Sequence, residues 1–300
     1  MTKVLLTGSS GQLGYTLIKK KPANINLITP NRKELDLSNP KECFEKTLDI
    51  KPDWILNCAA YTSVDLAESN QEVCFKVNRD APKYFAKALN ITGGNLIQIS
   101  TDYVFDGLKS NAYKVNDIVS PLNQYGLSKA KAEKYIKEIL GNTNQGIVIR
   151  TSWLMGTISK NFLLTMIKLH QTKKEINVVS NQISCPTSTK TLAEACWQAI
   201  QIKLEKNLHK DNFMPILHWS DNGVASWYDI ALAIGEIGSK NGLIDFPAFV
   251  NPIKSENHPR KAKIPRFSLL DCESSRDFLG LKGEYWRKSL EISIKSIVEK

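Results

Sequence analysis

The sequence has no uninterrupted apolar run close to the roughly 20 residues that cross a bilayer, which argues against a membrane protein. The first apolar run, Val4-Leu5-Leu6, is too short for a signal sequence and lacks a small-residue cleavage site, so we interpret it as a β-strand. With 300 residues, of which 42% are hydrophobic, the chain is long enough to bury a substantial core. We expect a soluble globular protein and, by default, a cytoplasmic location.

Cysteine and histidine lack the spacings of metal or disulfide sites. The six cysteines and four histidines are scattered singly along the chain. A chain of this length does not depend on a disulfide framework, so we expect reduced, mostly structural thiols and predict no metal site. These residues are Cys43, Cys58, Cys74, Cys185, Cys196 and Cys272, with His170, His209, His218 and His258.

The basic residues lack the interleaved aromatic side chains of a nucleic-acid groove. The formal net charge is +10, but the lysines are spread along the chain. Two explanations stay open: solvated basic surfaces, which we favour, or a positive field that attracts an anionic ligand. The composition therefore argues against nucleic acid as a partner and suits a small molecule that carries phosphate.

Short β-rich runs alternate with helical patterns over the first half of the chain. This alternation predicts an α/β fold, namely a Rossmann-type doubly wound parallel sheet over residues 1–152. The irregular pattern beyond it predicts a smaller C-terminal substrate-binding domain over 153–300, with some segments that return to the first domain. The predicted strands are 3–7, 25–28, 53–57, 95–100 and 146–150, and the predicted helices are 12–20, 40–49, 71–90, 125–140, 187–204, 226–240 and 286–298.

A glycine-rich segment, Gly8-Ser9-Ser10-Gly11-Gln12-Leu13-Gly14, lies between the first predicted strand and the first predicted helix. In this context Gly8 permits a tight turn, Gly11 lets the backbone approach a pyrophosphate, and Gly14 allows close packing of the helix. Free N–H groups at the helix N-terminus favour phosphate. The segment predicts a dinucleotide-binding loop, with an ordinary glycine-rich turn as the alternative.

The second predicted strand lacks the acidic residue that normally holds the adenosine ribose hydroxyls at its end. The chain has Thr29-Pro30-Asn31-Arg32-Lys33 there. The two cations would accommodate a 2′-phosphate, so we predict NADPH as the cofactor and keep NADH as an alternative. In that alternative Arg32 and Lys33 are surface charges and Asp36 is the polar partner of the adenosine.

Tyr125 and Lys129 are four residues apart in a predicted helix, so their side chains share one helical face. The ordinary pKa of a phenol is near 10, and an adjacent ammonium would lower it. Tyr125 could then give a proton to a carbonyl oxygen as hydride arrives from a nicotinamide, while Lys129 bonds the nicotinamide ribose.

The predicted strand 95–100 is followed abruptly by Thr101 and Asp102. Ligand groups meet the protein at the carboxyl edge of such sheets, so Thr101 could hold the carbonyl oxygen and Asp102 a sugar hydroxyl. The alternative is a hydroxyl that caps the following turn. Together with the glycine loop and the Tyr-Lys pair, this strand end indicates a nicotinamide-dependent oxidoreductase of the short-chain dehydrogenase/reductase type.

Several segments, which together extend over nearly the whole chain, resemble the dTDP-4-dehydrorhamnose reductases, extended short-chain dehydrogenases that act on nucleotide sugars. The most diagnostic are Ala59-Ala60-Tyr61-Thr62-Ser63-Val64-Asp65 and Ser100-Thr101-Asp102-Tyr103-Val104-Phe105. The resemblance implies reduction of the 4-keto group of dTDP-4-dehydro-β-L-rhamnose to dTDP-β-L-rhamnose by NAD(P)H. Two alternatives stay open: another nucleotide-sugar reductase, epimerase or dehydratase, or a non-catalytic partner like the regulatory subunit of methionine adenosyltransferase.

The resemblance also implies roles for individual residues, with a homodimer as one expected assembly. The predicted catalytic residues are Thr101, Tyr125 and Lys129. The predicted cofactor contacts are Gly8, Ser10, Gly11, Gln12, Leu13, Arg32, Asp36, Leu37, Ala59, Ala60, Tyr61, Thr62, Ile99, Tyr125 and Lys129. The predicted substrate contacts are Thr62, Val64, Thr101, Asp102, Tyr103 and Trp153, although Trp153 could equally be core packing.

Two positions depart from the family pattern. Some family members are magnesium-linked dimers that use glutamates, but this chain has Thr16 and Lys190 where those carboxylates would fall, so no metal is carried over. Ile264 also stands where the family often has an arginine. A contact from that arginine to the nucleotide diphosphate would therefore need Lys263 or Arg266 as a replacement.

Overall fold

The computed structural model describes residues 1–206 and 215–299, so His209 lies outside the described residues. The first part of the chain alternates strands and helices. Its elements are β1 (Thr2–Thr7), α1 (Gln12–Lys19), β2 (Ile25–Ile28), α2 (Pro40–Ile50), β3 (Trp54–Asn57), α3 (Val64–Ala67), α4 (Gln71–Phe75), α5 (Ala81–Thr92), β4 (Asn95–Thr101), α6 (Gln124–Leu140) and β5 (Gly146–Thr151).

The second part contains short strands and longer helices. Of these, α7, α10 and all of the strands went unpredicted. The strands have two to five residues, which is too short to display a clear hydrophobic period. The elements are β6 (Leu154–Met155), α7 (Phe162–Thr172), β7 (Glu175–Val179), β8 (Ile183–Ser184), β9 (Thr187–Ser188), α8 (Thr189–Lys206), β10 (Ile216–Trp219), β11 (Ala225–Ser226), α9 (Trp227–Lys240), β12 (Phe249–Ile253), α10 (Glu273–Leu279) and α11 (Trp286–Val298).

One six-stranded parallel sheet organises the molecule, with the strand order β10-β5-β4-β3-β1-β2. This order confirms the predicted doubly wound fold. Strand β10 comes from beyond residue 152 and pairs with β5, so the chain does return to the N-terminal sheet. The division of the chain at residue 152 stays a prediction.

Helices cover both faces of this sheet, because successive side chains of a strand point to opposite sides. Val4 and Leu6 of β1 pack in one buried cluster with residues of α1 and α8. Leu5, between them, packs in a second cluster with residues of α5 and α6. The run Val4-Leu5-Leu6 is therefore apolar throughout because the strand is buried on both faces.

The predicted helix over 71–90 is divided by a π-helical turn at Lys76–Asp80. Pro82 explains the change, because proline has no N–H to bond the carbonyl of residue 78 and so interrupts the α-helical ladder. The turn places the Asn78 side chain beside the loop after β3. There Asn78 accepts a hydrogen bond from the Tyr61 N–H at 2.8 Å and donates one to the Tyr61 carbonyl at 3.0 Å.

A separate core forms the C-terminal lobe, by which we mean α7, α9, α11 and the parallel pair β7–β12. Leu163, Ile230, Ile234 and Ile294 are fully buried in it. Among residues 1–206 and 215–299, no helix combines the length and the apolar character that crossing a membrane requires.

Candidate active site

A cleft of about 790 Å³ lies between the carboxyl edge of the six-stranded sheet and the C-terminal lobe. Thr7 and Thr151 line it from the strand ends, and Phe162 and Trp227 line it from the lobe. Every residue predicted to contact cofactor or substrate lines this one cleft. They are Gly8, Ser10, Gly11, Gln12, Leu13, Arg32, Asp36, Leu37, Ala59, Ala60, Tyr61, Thr62, Val64, Ile99, Thr101, Asp102, Tyr103, Tyr125, Lys129 and Trp153.

The glycine loop turns tightly and packs closely against its neighbours. Gly8 has a φ of 69°, and a Cβ there would lie 2.7 Å from the Ala59 nitrogen. A Cβ on Gly14 would lie 2.2 Å from the Gly8 carbonyl oxygen, so α1 approaches the loop as closely as glycine allows. Gly11 is the N-cap of α1 and no side chain caps the helix, which leaves its first N–H groups available to an anion.

Gln12 connects the loop to the far side of the cleft. Its side-chain oxygen accepts a hydrogen bond from the Gly156 N–H at 2.8 Å. Gly156 follows β6, beyond the strand ends of the main sheet. The Gln12 side chain, a predicted cofactor contact, therefore also joins the glycine loop to the segment after β6.

Arg32 and Asp36 lie together where the second strand leads into the cleft. The Arg32 side chain is 81% exposed, and its Nε lies 3.7 Å from an Asp36 carboxylate oxygen. A hydrogen bond from the Ser38 N–H lowers the pKa of Asp36. Of the two predicted cations, Arg32 lines the cleft and Lys33 does not.

Tyr125 and Lys129 lie on the cleft side of α6, one turn apart. Asn123 caps this helix by accepting a hydrogen bond from the Gly126 N–H at 2.8 Å, which fixes the helix start just before Tyr125. Thr101 ends β4 and contacts the Tyr125 phenol. The structure thus brings together the three residues predicted to be catalytic.

Burial shifts the pKa values of Tyr125 and Lys129 in opposite directions. Burial raises the pKa of Tyr125 well above its ordinary value, and the Thr101 side chain opposes this rise. Burial lowers the pKa of Lys129 to about 8, and the nearby Glu133 carboxylate opposes this fall. The expected lowering of the Tyr125 pKa is therefore not present, because desolvation of the phenolate outweighs the Thr101 hydrogen bond and the nearby Asp102 raises the pKa further.

Asp102 is 2% exposed, and its carboxylate is already engaged by the protein. One oxygen accepts a hydrogen bond from the Thr101 hydroxyl at 3.1 Å, and the other accepts one from the Ser268 hydroxyl at 2.5 Å. Burial raises the pKa of Asp102 to about 7. The predicted contact with a sugar hydroxyl would therefore compete with bonds that attach the segment around residue 268 to the end of β4.

Trp153 is part of an aromatic stack that packs against the core of the C-terminal lobe. Its ring stacks on Trp227 with 3.8 Å between centroids, and Phe162 lies 4.6 Å from Trp227. Trp153 has a φ of 42°, a left-handed conformation that costs a non-glycine residue about 1–3 kcal/mol. Such strain is typical of side chains held in place at ligand sites.

Three further residues line the cleft and were not predicted as site residues: Lys160, Phe162 and Trp227. Phe162 and Trp227 are the first residues of α7 and α9, directly after the caps Asn161 and Ser226. The only sequence feature that could have indicated these two residues is an aromatic residue directly after a helix cap. This feature does not identify a site, because the two helices start 65 positions apart in the sequence and meet only in the fold.

The family departures have clear places in the structure. Lys263 and Arg266 do not line the cleft, and Arg266 forms an ion pair with Glu256. Thr16 hydrogen-bonds Thr189 at 3.0 Å. Among the described residues no group of three or more His, Cys, Asp or Glu side chains is arranged to hold a metal, and the six cysteines are all unpaired.

Comparison with known proteins finds relatives that match this chain over nearly its whole length. The family model described as "RmlD substrate binding domain" matches residues 1–298. The dTDP-4-dehydrorhamnose reductase of Aggregatibacter actinomycetemcomitans is 34% identical over 97% of this chain and 98% of its own length. The crystal structure of the corresponding Clostridium acetobutylicum protein is 33% identical, with a TM-score of 0.88 and full coverage of both chains.

A third comparison adds a cofactor. The Bacillus anthracis dTDP-4-dehydrorhamnose reductase, solved in complex with NADP, is 30% identical to this chain, with a TM-score of 0.87 over 100% of both chains. Likeness at this level over whole chains extends to the whole fold. The chain belongs to the dTDP-4-dehydrorhamnose reductase family.

Proposed function

We propose that this protein reduces the 4-keto group of dTDP-4-dehydro-β-L-rhamnose to give dTDP-β-L-rhamnose, with NADPH as the reductant. One observation carries the proposal: Thr101, Tyr125 and Lys129 converge in the same cleft that the glycine loop lines. Relatives that share the family and carry this enzyme's name support the choice of substrate.

The cleft residues suit NADPH. The free N–H groups after Gly11 would hold its diphosphate, Arg32 its 2′-phosphate, and Lys129 the ribose of the nicotinamide. When bound, NADPH supplies the hydride that reduces the carbonyl carbon. The NADP in the B. anthracis structure supports the same preference for this chain.

The proton for the carbonyl oxygen comes from Tyr125. Because burial raises the pKa of this phenol, it stays protonated at neutral pH and is ready to donate. Donation leaves a phenolate, and the Lys129 ammonium stabilises that negative charge. Thr101, in contact with the phenol, orients it for this transfer.

The test is a spectrophotometric assay that follows NADPH oxidation with a panel of nucleotide 4-ketosugars. We expect turnover with dTDP-4-dehydro-β-L-rhamnose and a larger kcat/KM for NADPH than for NADH, with Arg32→Ala narrowing that difference. Turnover only with UDP- or GDP-linked sugars would assign the chain to another nucleotide-sugar enzyme. Cofactor binding without turnover on any sugar would favour a regulatory subunit.

A further inference from the structure

A third titratable residue follows Tyr125 and Lys129 along the same face of α6. Glu133 comes four residues after Lys129 and eight after Tyr125, so the three side chains lie in one row. Glu133 is 6% exposed and Lys129 is 3% exposed. The proposed mechanism uses the first two members of the row and leaves the third, a buried carboxylate, without a role.

Glu133 is held by an extensive set of hydrogen bonds from the sheet. Arg150 reaches it bidentately, with its Nη2 2.7 Å from one carboxylate oxygen and its Nε 3.1 Å from both. The Ser100 hydroxyl donates to the same carboxylate at 2.5 Å. The carboxylate is therefore fixed in place by three donor groups on two strands.

The two partners of Glu133, Ser100 and Arg150, lie side by side on neighbouring strands, and His218 continues the row on a third strand. Ser100 of β4 pairs with Arg150 of β5, and Arg150 pairs with His218 of β10. Arg150 also donates to the Val115 carbonyl at 3.1 Å, and its Nη1 lies 3.2 Å from His218 Nε2. Burial and the Arg150 charge lower the pKa of His218 to about 3, so His218 is neutral and Glu133 is the counter-charge of Arg150.

A buried ion pair is poorly explained by stability alone, because desolvating two charges can cost as much as their attraction returns. The pair is better explained by what lies next to it. Ser100 immediately precedes Thr101, and Glu133 is one turn from Lys129. The Glu133 network thus joins the strand that carries one predicted catalytic residue to the helix that carries the other two.

We propose that Glu133 is a positioning residue of the reaction: Arg150 and Ser100 hold its carboxylate, which fixes α6 against β4 and places a negative charge one helical turn from the Lys129 ammonium. The inference rests on the proposed function and deepens it. The Glu133 carboxylate supports it, because it raises the pKa of Lys129 against the effect of burial.

The test measures the titration of Lys129 directly. In the cofactor-free protein, competitive acetylation of Lys129 by acetic anhydride is followed by peptide mass spectrometry across a pH series. Removing the carboxylate in Glu133→Gln removes an influence that raises the pKa, so we expect the labelling midpoint to move down by about one unit. The basic limb of kcat against pH should move down with it, and Glu133→Asp should restore part of both shifts.

The matched control is Glu138→Gln, on the same helix, where the side chain is 51% exposed and pairs with Lys134. It should change neither the labelling midpoint nor the pH profile. If Glu133→Gln does not fold because Arg150 is left unpaired, Glu133→Gln/Arg150→Gln removes both charges and should still show a downward shift, smaller because the Arg150 cation is lost as well.

A folded Glu133 variant whose Lys129 midpoint and kcat profile match those of the unchanged protein would overturn the inference. Its failure is distinct from failure of the proposed function. The labelling needs neither cofactor nor sugar, so a shifted midpoint stands even if no nucleotide sugar is turned over. Conversely, normal turnover with an unshifted midpoint refutes the role of Glu133 alone.

Discussion

At the scale of single residues, the phenol of Tyr125 is the group whose removal should separate chemistry from binding. Tyr125→Phe deletes the only proton that the proposed mechanism donates, so we expect kcat to fall by about 10²- to 10⁴-fold. The dissociation constant for NADPH, measured by fluorescence titration, should change little. Tyr135→Phe, on the same helix, is the control, because Tyr135 does not line the cleft. Equal turnover in the two variants would remove Tyr125 from the mechanism.

The charge of Lys129 predicts the pH dependence of the reaction. Burial lowers the pKa of Lys129 to about 8, so the ammonium is present below that pH and is lost as the pH rises through it. Because kcat/KM reports groups of the free enzyme, we expect kcat/KM for the sugar to fall above pH 8 or so. Lys129→Met should abolish this limb as well as most of the activity. A flat profile up to pH 10 would contradict the assignment.

At the scale of elements, the contact between α1 and the glycine loop depends on the absence of a side chain. Gly14→Ala would place a Cβ 2.2 Å from the Gly8 carbonyl oxygen, and backbone cannot yield as a flexible side chain does. We expect a loss of about 1–3 kcal/mol in the free energy of unfolding, together with weaker NADPH binding. Thermal denaturation with and without NADPH measures both effects.

Gly141→Ala is the control for this substitution. Gly141 has a φ of −64°, and a Cβ there would have its nearest neighbour at 3.8 Å. Alanine is therefore compatible with the backbone and should be neutral or stabilising by up to about 1 kcal/mol. A Gly14→Ala variant as stable as Gly141→Ala, with normal cofactor affinity, would show that the close approach of α1 is not required.

At the scale of the whole molecule, residues 260–263 form a strap from the C-terminal part of the chain to the N-terminal part. Arg260 forms an ion pair with Asp65 at 2.9 Å, and the Ala262 N–H donates to the same carboxylate at 3.1 Å. The Lys263 carbonyl accepts a hydrogen bond from Asn123 at 2.8 Å. The strap thus contacts both the region of Val64, a predicted substrate residue, and the start of the helix that carries Tyr125.

Loss of the strap contact should affect substrate binding more than chemistry. Asp65→Ala removes an ion pair and a backbone hydrogen bond, and we expect KM for the nucleotide sugar to rise about three- to tenfold. The dissociation constant for NADPH should remain unchanged, because the glycine loop is not involved. Glu236→Ala, which removes the exposed Arg287 pair within the C-terminal lobe, should leave both constants unchanged. An unaltered KM in Asp65→Ala would assign the strap to stability only.

Features that depend on neighbouring residues were predictable from the sequence. The five predicted strands and the glycine loop were recognisable because strand alternation, turn chemistry and helix starts are encoded within a few positions. The relation between Tyr125 and Lys129 was predictable for the same reason, since a helix places residues four apart on one face. Family segments extended these local signals to a full set of cleft residues. A cytoplasmic location and a homodimer stay predictions.

The sequence by itself therefore determined the parallel sheet, the glycine loop and the Tyr-Lys pair, because each follows from local periodicity and backbone freedom. Only the tertiary structure decided that β10 completes the sheet, that Trp227 stacks on Trp153, and that Arg150 of β5 meets Glu133 of α6. These contacts join positions far apart in the chain. Their partners are selected by packing of the complete molecule, which no local pattern records.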